Sequence, residues 1–335
     1  MRRFLKNILF FTSPILLISV ILLYSDFFKV FKSYDSYTED TFVGLNREFV
    51  CMKTFEKNVS KELKSNSFIF GSSRSQAFKC RDWDGYLPNE DVSFHFDANA
   101  EGVIGVLKKL EYLKNRTEIK NALIIVDMEL LCQTNLKERE DSHLTVSHPN
   151  ISNSSFIAFY NPFVKTSFTP KFALSYYDFN IFGKYRQYMR GMISESKYPW
   201  IVDSINCDIN YGMELEIKED SVGYYNKMKM LNVFSESRKR KQKVDTLSNL
   251  TFEILKEISK IFKENKTDFK IIISPLYNQV PLKKEYLNKM EQIFKKTNVY
   301  DFSGVNSITS SFGNYYEQSH YRPHVARLIL KEINN

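Results

Sequence analysis

The sequence predicts an α/β protein: a parallel β-sheet covered by helices on both faces. Three observations carry that expectation. Short runs of residues are apolar throughout rather than at every second position, as strands buried on both faces require. Between them, apolar residues recur every three or four positions, the period of a helix with one buried face. The two patterns alternate in both halves of the chain, as in strands joined by crossover helices.

The elements follow in order. Ser67 to Phe70 is the first apolar run and stops at Gly71. Val92 to Phe96 reads as a second strand, running into the small-residue turn Asp97-Ala98-Asn99-Ala100-Glu101-Gly102. Val103, Val106, Leu107, Leu110 and Leu113 then predict a helix over 103–114. Ala122 to Val126 is a continuous apolar run closed by Asp127. From about 130 to 240 the period is lost: aromatic and small polar residues abound, interrupted by Pro149, Pro162, Pro170 and Pro199. That stretch is expected to be an insertion of short helices and loops. Regularity returns at Leu247 to Phe262, where Leu250, Ile254, Ile258 and Ile261 share a helical face. A strand at Lys270 to Ile273, a helix at Lys283 to Lys296, a strand at Val299 to Phe302 and a helix at Pro323 to Ile333 complete the reading.

Ahead of this domain stands an apolar segment. Met1 to Asn7 carry Arg2, Arg3 and Lys6, and Ile8 to Tyr24 then contains no charge. About twenty apolar residues span a bilayer as a helix, and roughly seventeen suffice with interfacial flanks. Positive charge before the span predicts a cytoplasmic N-terminus at 1–7 and a single-pass anchor at 8–24. A stalk, or a helix leading to the domain, would cover 25–65, with residues 66–335 outside the cytoplasm. A cleaved signal peptide would have a shorter apolar stretch and a small-x-small site, whereas Leu22, Leu23, Tyr24, Asp26 and Phe27 follow here.

A net charge of +8 raises the question of an anionic partner. The basic residues are scattered, and the one dense cluster, Arg238 to Lys243, reads as a solvated loop, so no nucleic-acid partner is expected. Cys51, Cys80, Cys132 and Cys207 are dispersed without a C-x-x-C pair, which argues against zinc. Outside the cytoplasm they could form disulfides, whose pairing the spacing leaves open.

In parallel sheets, functional residues gather in loops at the carboxyl ends of the strands. Two such loops hold reactive types. Gly71-Ser72-Ser73-Arg74-Ser75 follows the first strand, where a helix entry could stabilise an oxyanion. Tyr315-Tyr316-Glu317-Gln318-Ser319-His320-Tyr321-Arg322-Pro323 precedes the last helix. There one turn can set the Glu317 carboxylate against the His320 imidazole, which would take a proton from serine. Arg74 and Arg322 flank this arrangement and could pair with Glu317 or hold an anionic substrate. His95 reads as a packed strand residue and His324 as exposed, while His143 and His148 fall in a loop without carboxylate spacing for a metal.

Gly71-Ser72-Ser73, the turn ending at Gly102 and Glu317-Gln318-Ser319-His320 resemble, in order and position, the motifs of the SGNH/GDSL hydrolase superfamily. The ending, with Val299-Tyr300-Asp301-Phe302-Ser303-Gly304 before it, is similar to membrane-anchored members from bacterial envelope-polysaccharide loci. The D-alanyl-lipoteichoic acid transfer protein is a more distant relative of comparable layout. The likeness covers about 66 to 128 and 245 to 333, not the insertion. It implies a flavodoxin-like three-layer α/β/α sheet, Ser73 as nucleophile, His320 as base and Glu317 as orienting acid. The oxyanion would be held by the N–H groups of Ser73 and Gly102, with Asn99 as a neighbour. Ser72 and Glu317 stand where the family usually has Asp, and its Gly-x-Asn-Asp block is replaced by Asp127-Met128-Glu129.

The resemblance implies serine-dependent acyl transfer, or ester hydrolysis by the same residues, on a cell-envelope polysaccharide, with no cofactor and no metal. The acyl donor could come from a partner membrane protein, and the aromatic-rich insertion would offer a glycan surface. The alternative is a non-catalytic scaffold or glycan-binding protein in polysaccharide assembly. A metal-dependent phosphotransferase using Asp97, Asp127 and Glu129 is a poorer third, because these lack ligand spacing.

Overall fold

The computed structural model describes residues 1–38, 42–234 and 246–335. Its strands are β1 (Ser67–Gly71), β2 (Ser93–His95), β3 (Asn121–Val126), β4 (Ile201–Val202), β5 (Ile209–Asn210), β6 (Asp268–Ile273) and β7 (Val299–Asp301). Five form one sheet in the order β2-β1-β3-β6-β7, every pair parallel. β4 and β5 form a separate antiparallel hairpin inside the insertion, which the sequence reading did not anticipate.

Alternation along the strands builds two cores. Phe68, Phe70, Ile124, Val126, Ile271 and Ile273 enter one, while Ile69, Leu123, Ile125 and Ile272 enter the other. The first is covered by the helices Arg47–Ser60, Val103–Leu113 and Asn249–Asn265, the second by Pro323–Ile333 and Cys80–Asp84. Each fully buried side chain of this kind contributes roughly 1.5–3 kcal/mol over an exposed one. The layers are therefore helix, sheet, helix, as expected. Leu250 departs from its expected place: it lies in the first turn and is exposed, while Phe252, Leu255 and Phe262 join the buried face.

Of residues 25–65, expected as a stalk or a leading helix, the described ones include the helix Arg47–Ser60, and most of them pack against the domain. Phe27, Phe28, Val30 and Tyr37 are buried, and the Asp26 carboxylate accepts the N–H groups of Val30, Phe31 and Lys32 at 2.9–3.0 Å. Apolar spacing around a polar anchor such as Asp26 is too irregular for either sequence template to register. The N-terminal segment is helical over Arg2–Ser25 and exposes Phe4, Leu9, Phe10, Phe11, Leu16 and Leu17. Among the described residues no helix is long and apolar enough to cross a membrane, and the side chains at 2, 5, 15, 18 and 21–23 lie outside that description.

The insertion carries the helices Phe156–Ser167, Pro170–Phe182, Gly212–Glu219 and Ser221–Met230 besides the hairpin. Many of its rings are core: Phe159, Phe163, Phe172, Tyr224 and Tyr225 are buried, while Phe156, Phe168 and Phe182 remain exposed. The basic cluster Arg238 to Lys243 lies outside the described residues.

His143 and His148 have structural partners. His143 Nδ1 lies 3.2 Å from Thr166 Oγ1, and its ring packs on Phe28. His148 Nδ1 accepts the Asn150 N–H at 3.2 Å, capping the turn Pro149–Ser152. Burial lowers both imidazoles to about 4. A cap acceptor must be unprotonated, so the fold favours the neutral form. Between pH 6.5 and 4 the unfolded chain then binds more protons, and stability falls as pH falls, by about 1.4 kcal/mol per pH unit for each group at most. Urea titrations across this range should show that slope, and His148→Asn, which keeps a capping acceptor, should remove about one proton's share. An unchanged slope in His148→Asn would refute the assignment.

Candidate active site

The site begins with a sharp exit from β1. Gly71 has φ +152°, and a Cβ there would lie 2.8 Å from the Ile125 carbonyl oxygen, so only glycine lets the chain turn this close to β3. Ser72 caps the next turn, the short 3-10 helix Ser73–Ala77: its carbonyl accepts the Ser75 N–H at 2.9 Å, and its hydroxyl faces the Arg74 N–H. Ser73 thus heads a helical turn, where the first N–H groups have no partner within the helix, and its side chain is half-buried. The turn leaves the sheet between β2 and β3, where strand order reverses and ligands of such sheets bind.

The second loop closes onto it. The Tyr316 N–H donates to the His320 carbonyl at 2.9 Å, and Arg322 N–H to Asn314 at 2.8 Å, pinching 314–322 into a tight loop before the last helix. Within it the Glu317 carboxylate accepts the Ser319 N–H at 2.8 Å and bonds His320 Nδ1. His320 Nε2 lies 2.7 Å from Ser73 Oγ, joining residues 247 apart. Burial alone would raise the Glu317 pKa, but the hydrogen bond and charge of His320, with the Ser319 N–H, hold it below the usual carboxylate value. An ionised Glu317 can only accept, so Nδ1 carries the ring proton and Nε2 is free to accept from the Ser73 hydroxyl. Serine, histidine and acid stand in the order that activates an alcohol as a nucleophile.

The other expected site residues fare differently. The N–H of Gly102 donates to its neighbour's Glu101 carboxylate at 3.0 Å, and a Cβ there would meet the Gln133 carbonyl oxygen at 2.6 Å. Gly102 is a packing glycine with a committed donor, held so because Lys109 and Arg139 draw Glu101 inward. The Asn99 amide reaches the Leu45 and Leu144 carbonyls at 3.4 and 3.5 Å and ties loops together. Arg74 is buried, pairing with Asp127 at 2.8 Å and Glu129 at 2.7 Å and donating to the Ser319 carbonyl at 3.3 Å. It braces the turn bearing Ser73 against β3 and the histidine loop rather than offering a free cation. Arg322 forms a fork on Glu214 at 3.0 and 2.9 Å. Neither arginine is paired with Glu317. His324, expected exposed, is half-buried and bonded to Asn314 at 2.9 Å.

The insertion supplies supports to this loop that no local motif announces. Tyr224 donates its hydroxyl to the Tyr316 carbonyl at 3.1 Å, and Tyr225 to those of Gly313 and Tyr315 at 3.0 Å. Glu214 holds Tyr316 at 2.8 Å as well as Arg322. The Tyr211 ring packs edge-on to Tyr316 and His320, and its hydroxyl begins a buried chain through Gln76 and Asp97 to Arg47. The tyrosine pair was visible in the sequence, but nothing local says which backbone it caps. A cavity of about 170 Å³ opens between Tyr211, Tyr316, Ile201 and Leu215, with Lys79 and Asn210 on its polar side.

Asp97, Asp127 and Glu129 serve Arg47 and Arg74, and among the described residues no cluster of three or more His, Cys, Asp or Glu could hold a metal ion. No protein-family model matches the chain, and no curated protein matches it.

Proposed function

We propose that this protein is a serine acyl enzyme of SGNH/GDSL type on a flavodoxin-like sheet, working on an ester at the cell envelope. One observation carries the reading: Ser73 Oγ, His320 Nε2 and the Glu317 carboxylate form a continuous hydrogen-bonded series at the carboxyl end of β1. Ser73 gives its proton to His320 as its oxygen attacks the ester carbonyl. The Ser73 N–H, at the head of its turn, faces the developing charge. His320 then protonates the departing alkoxide, leaving an acyl-serine. The base next takes a proton from a sugar hydroxyl or from water, and the acyl group moves to that oxygen. The cavity of about 170 Å³ is walled by Tyr211, whose ring packs on His320, and not by Ser73 or His320 themselves; its size, below that of pockets for drug-like ligands, is that of a short acyl group.

The uncharged run Ile8 to Tyr24 behind Arg2, Arg3 and Lys6 supports an N-terminal anchor with the domain outside the cytoplasm. An envelope polysaccharide as acceptor, and a membrane partner supplying the donor, belong to the same reading. A non-catalytic scaffold is the second reading, and one observation favours it: the Gly102 N–H is committed to Glu101.

A fluorophosphonate separates the two. Incubated with the full-length chain in detergent and followed by intact mass, it should add one label, at Ser73, and Ser73→Ala should abolish it. Ser72→Ala should keep it, since that hydroxyl faces backbone. A folded chain that takes no label would leave the scaffold reading.

A further inference from the structure

The insertion also meets the rest of the domain through two sulfurs. Cys51 lies on the helix Arg47–Ser60, and Cys207 on the turn between β4 and β5, 156 positions later. Both are fully buried, and their Sγ atoms are 2.7 Å apart. That is inside the contact distance of two unbonded sulfurs and a short step from an S–S bond of about 2.05 Å. The approach is held from both sides. Arg47 donates to the Cys207 carbonyl at 2.7 Å and to Asp97 at 2.6 Å, while Cys51 Sγ lies 3.4 Å from the same Asp97 oxygen. Cys80 is directed elsewhere, its sulfur 3.8 Å from the Asn206 carbonyl oxygen, and Cys132 is half-buried on another helix.

We propose that Cys51 and Cys207 are a disulfide site that staples the insertion to the helix Arg47–Ser60. Closure is thiol–disulfide exchange with an oxidised dithiol partner, a small disulfide or a dithiol oxidoreductase. Two S–H bonds break and one S–S bond forms; two protons leave, and two electrons reduce the partner's disulfide to two thiols. Because both sulfurs are buried in the docked fold, the exchange takes place before the insertion seats, and the bond then keeps it seated. The position matters for the site. Asp208, next to Cys207, accepts the Cys80 N–H at 2.9 Å and faces His95 Nδ1 at 3.2 Å. His95 Nε2 in turn lies 3.0 Å from the Ser75 hydroxyl on the turn that bears Ser73. The staple fixes the insertion at the root of that buried series, whether or not Ser73 reacts.

The full-length chain, refolded or equilibrated in a glutathione redox buffer, is quenched with N-ethylmaleimide in denaturant and mapped by mass spectrometry. The expected result is a linked Cys51–Cys207 peptide that reductant splits, with only Cys80 and Cys132 alkylated. Reductant should lower the thermal midpoint of the wild type by about 5 °C. It should leave Cys51→Ala/Cys207→Ala unmoved. Four alkylated cysteines in a folded chain at every redox poise would overturn the proposal, as would a link through Cys80 or Cys132. Should the double variant not fold, the wild-type peptide map decides alone.

Discussion

His320→Ala is expected to slow fluorophosphonate labelling of Ser73 by about four to six orders of magnitude, the loss seen when a serine's general base is removed. The reason is geometric. Ser73 Oγ has its proton acceptor at 2.7 Å, and without it the hydroxyl must attack as a neutral alcohol. The deletion should be partly rescued by added imidazole, which fits the space left and restores a base. A histidine that merely held the 314–322 loop in place would not be replaced by a free ring, so rescue separates catalysis from positioning. Glu317→Gln should cost about three to four orders, because a glutamine amide can donate to Nδ1 and select the tautomer whose Nε2 cannot accept from Ser73. Second-order labelling rates of the variants, beside unfolding curves showing that they fold, make the test. A His320→Ala rate within tenfold of wild type would remove His320 from the chemistry.

Lys109→Met is expected to lower the unfolding free energy by about 3–5 kcal/mol, the cost of leaving a buried charge uncompensated. Lys109 lies in a fully buried cluster with Glu48, Glu101 and Arg139. Two cations and two carboxylates balance there. Lys109 bonds Glu101 and lies 3.6 Å from Glu48; Arg139 is 2.6 Å from Glu101 and 3.6 Å from Glu48. Methionine matches the lysine stem in volume, so the loss reports the charge rather than a cavity. Adding Glu48→Gln restores neutrality, and the double variant should lose less than the two single losses combined. Urea unfolding of the four proteins gives the coupling. A Lys109→Met loss below about 1 kcal/mol would mean that the carboxylates take up protons or water instead.

The frame of the fold and the meeting of Glu317 with His320 were legible in the sequence because both are written locally. β1, β3 and β6 each hold a continuous apolar run (Phe68–Phe70, Ala122–Val126 and Ile271–Ile273), and the last helix repeats its apolar residues at helical spacing; such patterns survive whatever surrounds them. Glu317 and His320 are three residues apart, so one tight loop brings them together. The rest depended on partners far away along the chain. The family resemblance implied Gly102 as an oxyanion donor, yet Lys109 and Arg139 claim Glu101, whose carboxylate takes the Gly102 N–H. Arg74 and Arg322 were expected to pair with Glu317 or hold an anionic substrate; the fold sets Asp127, Glu129 and Glu214 against them instead. In the insertion, Tyr224 and Tyr225 cap backbone carbonyls of the 313–316 segment, about ninety positions away, a pairing that no local period encodes. Sequence alone determined, to within a residue, where the strands of the main sheet end and which polar side chains follow them, since backbone periodicity and short-range spacing fix those. Tertiary structure decided which polar groups are already satisfied, because a buried donor or charge takes whichever partner the fold brings within about 3 Å.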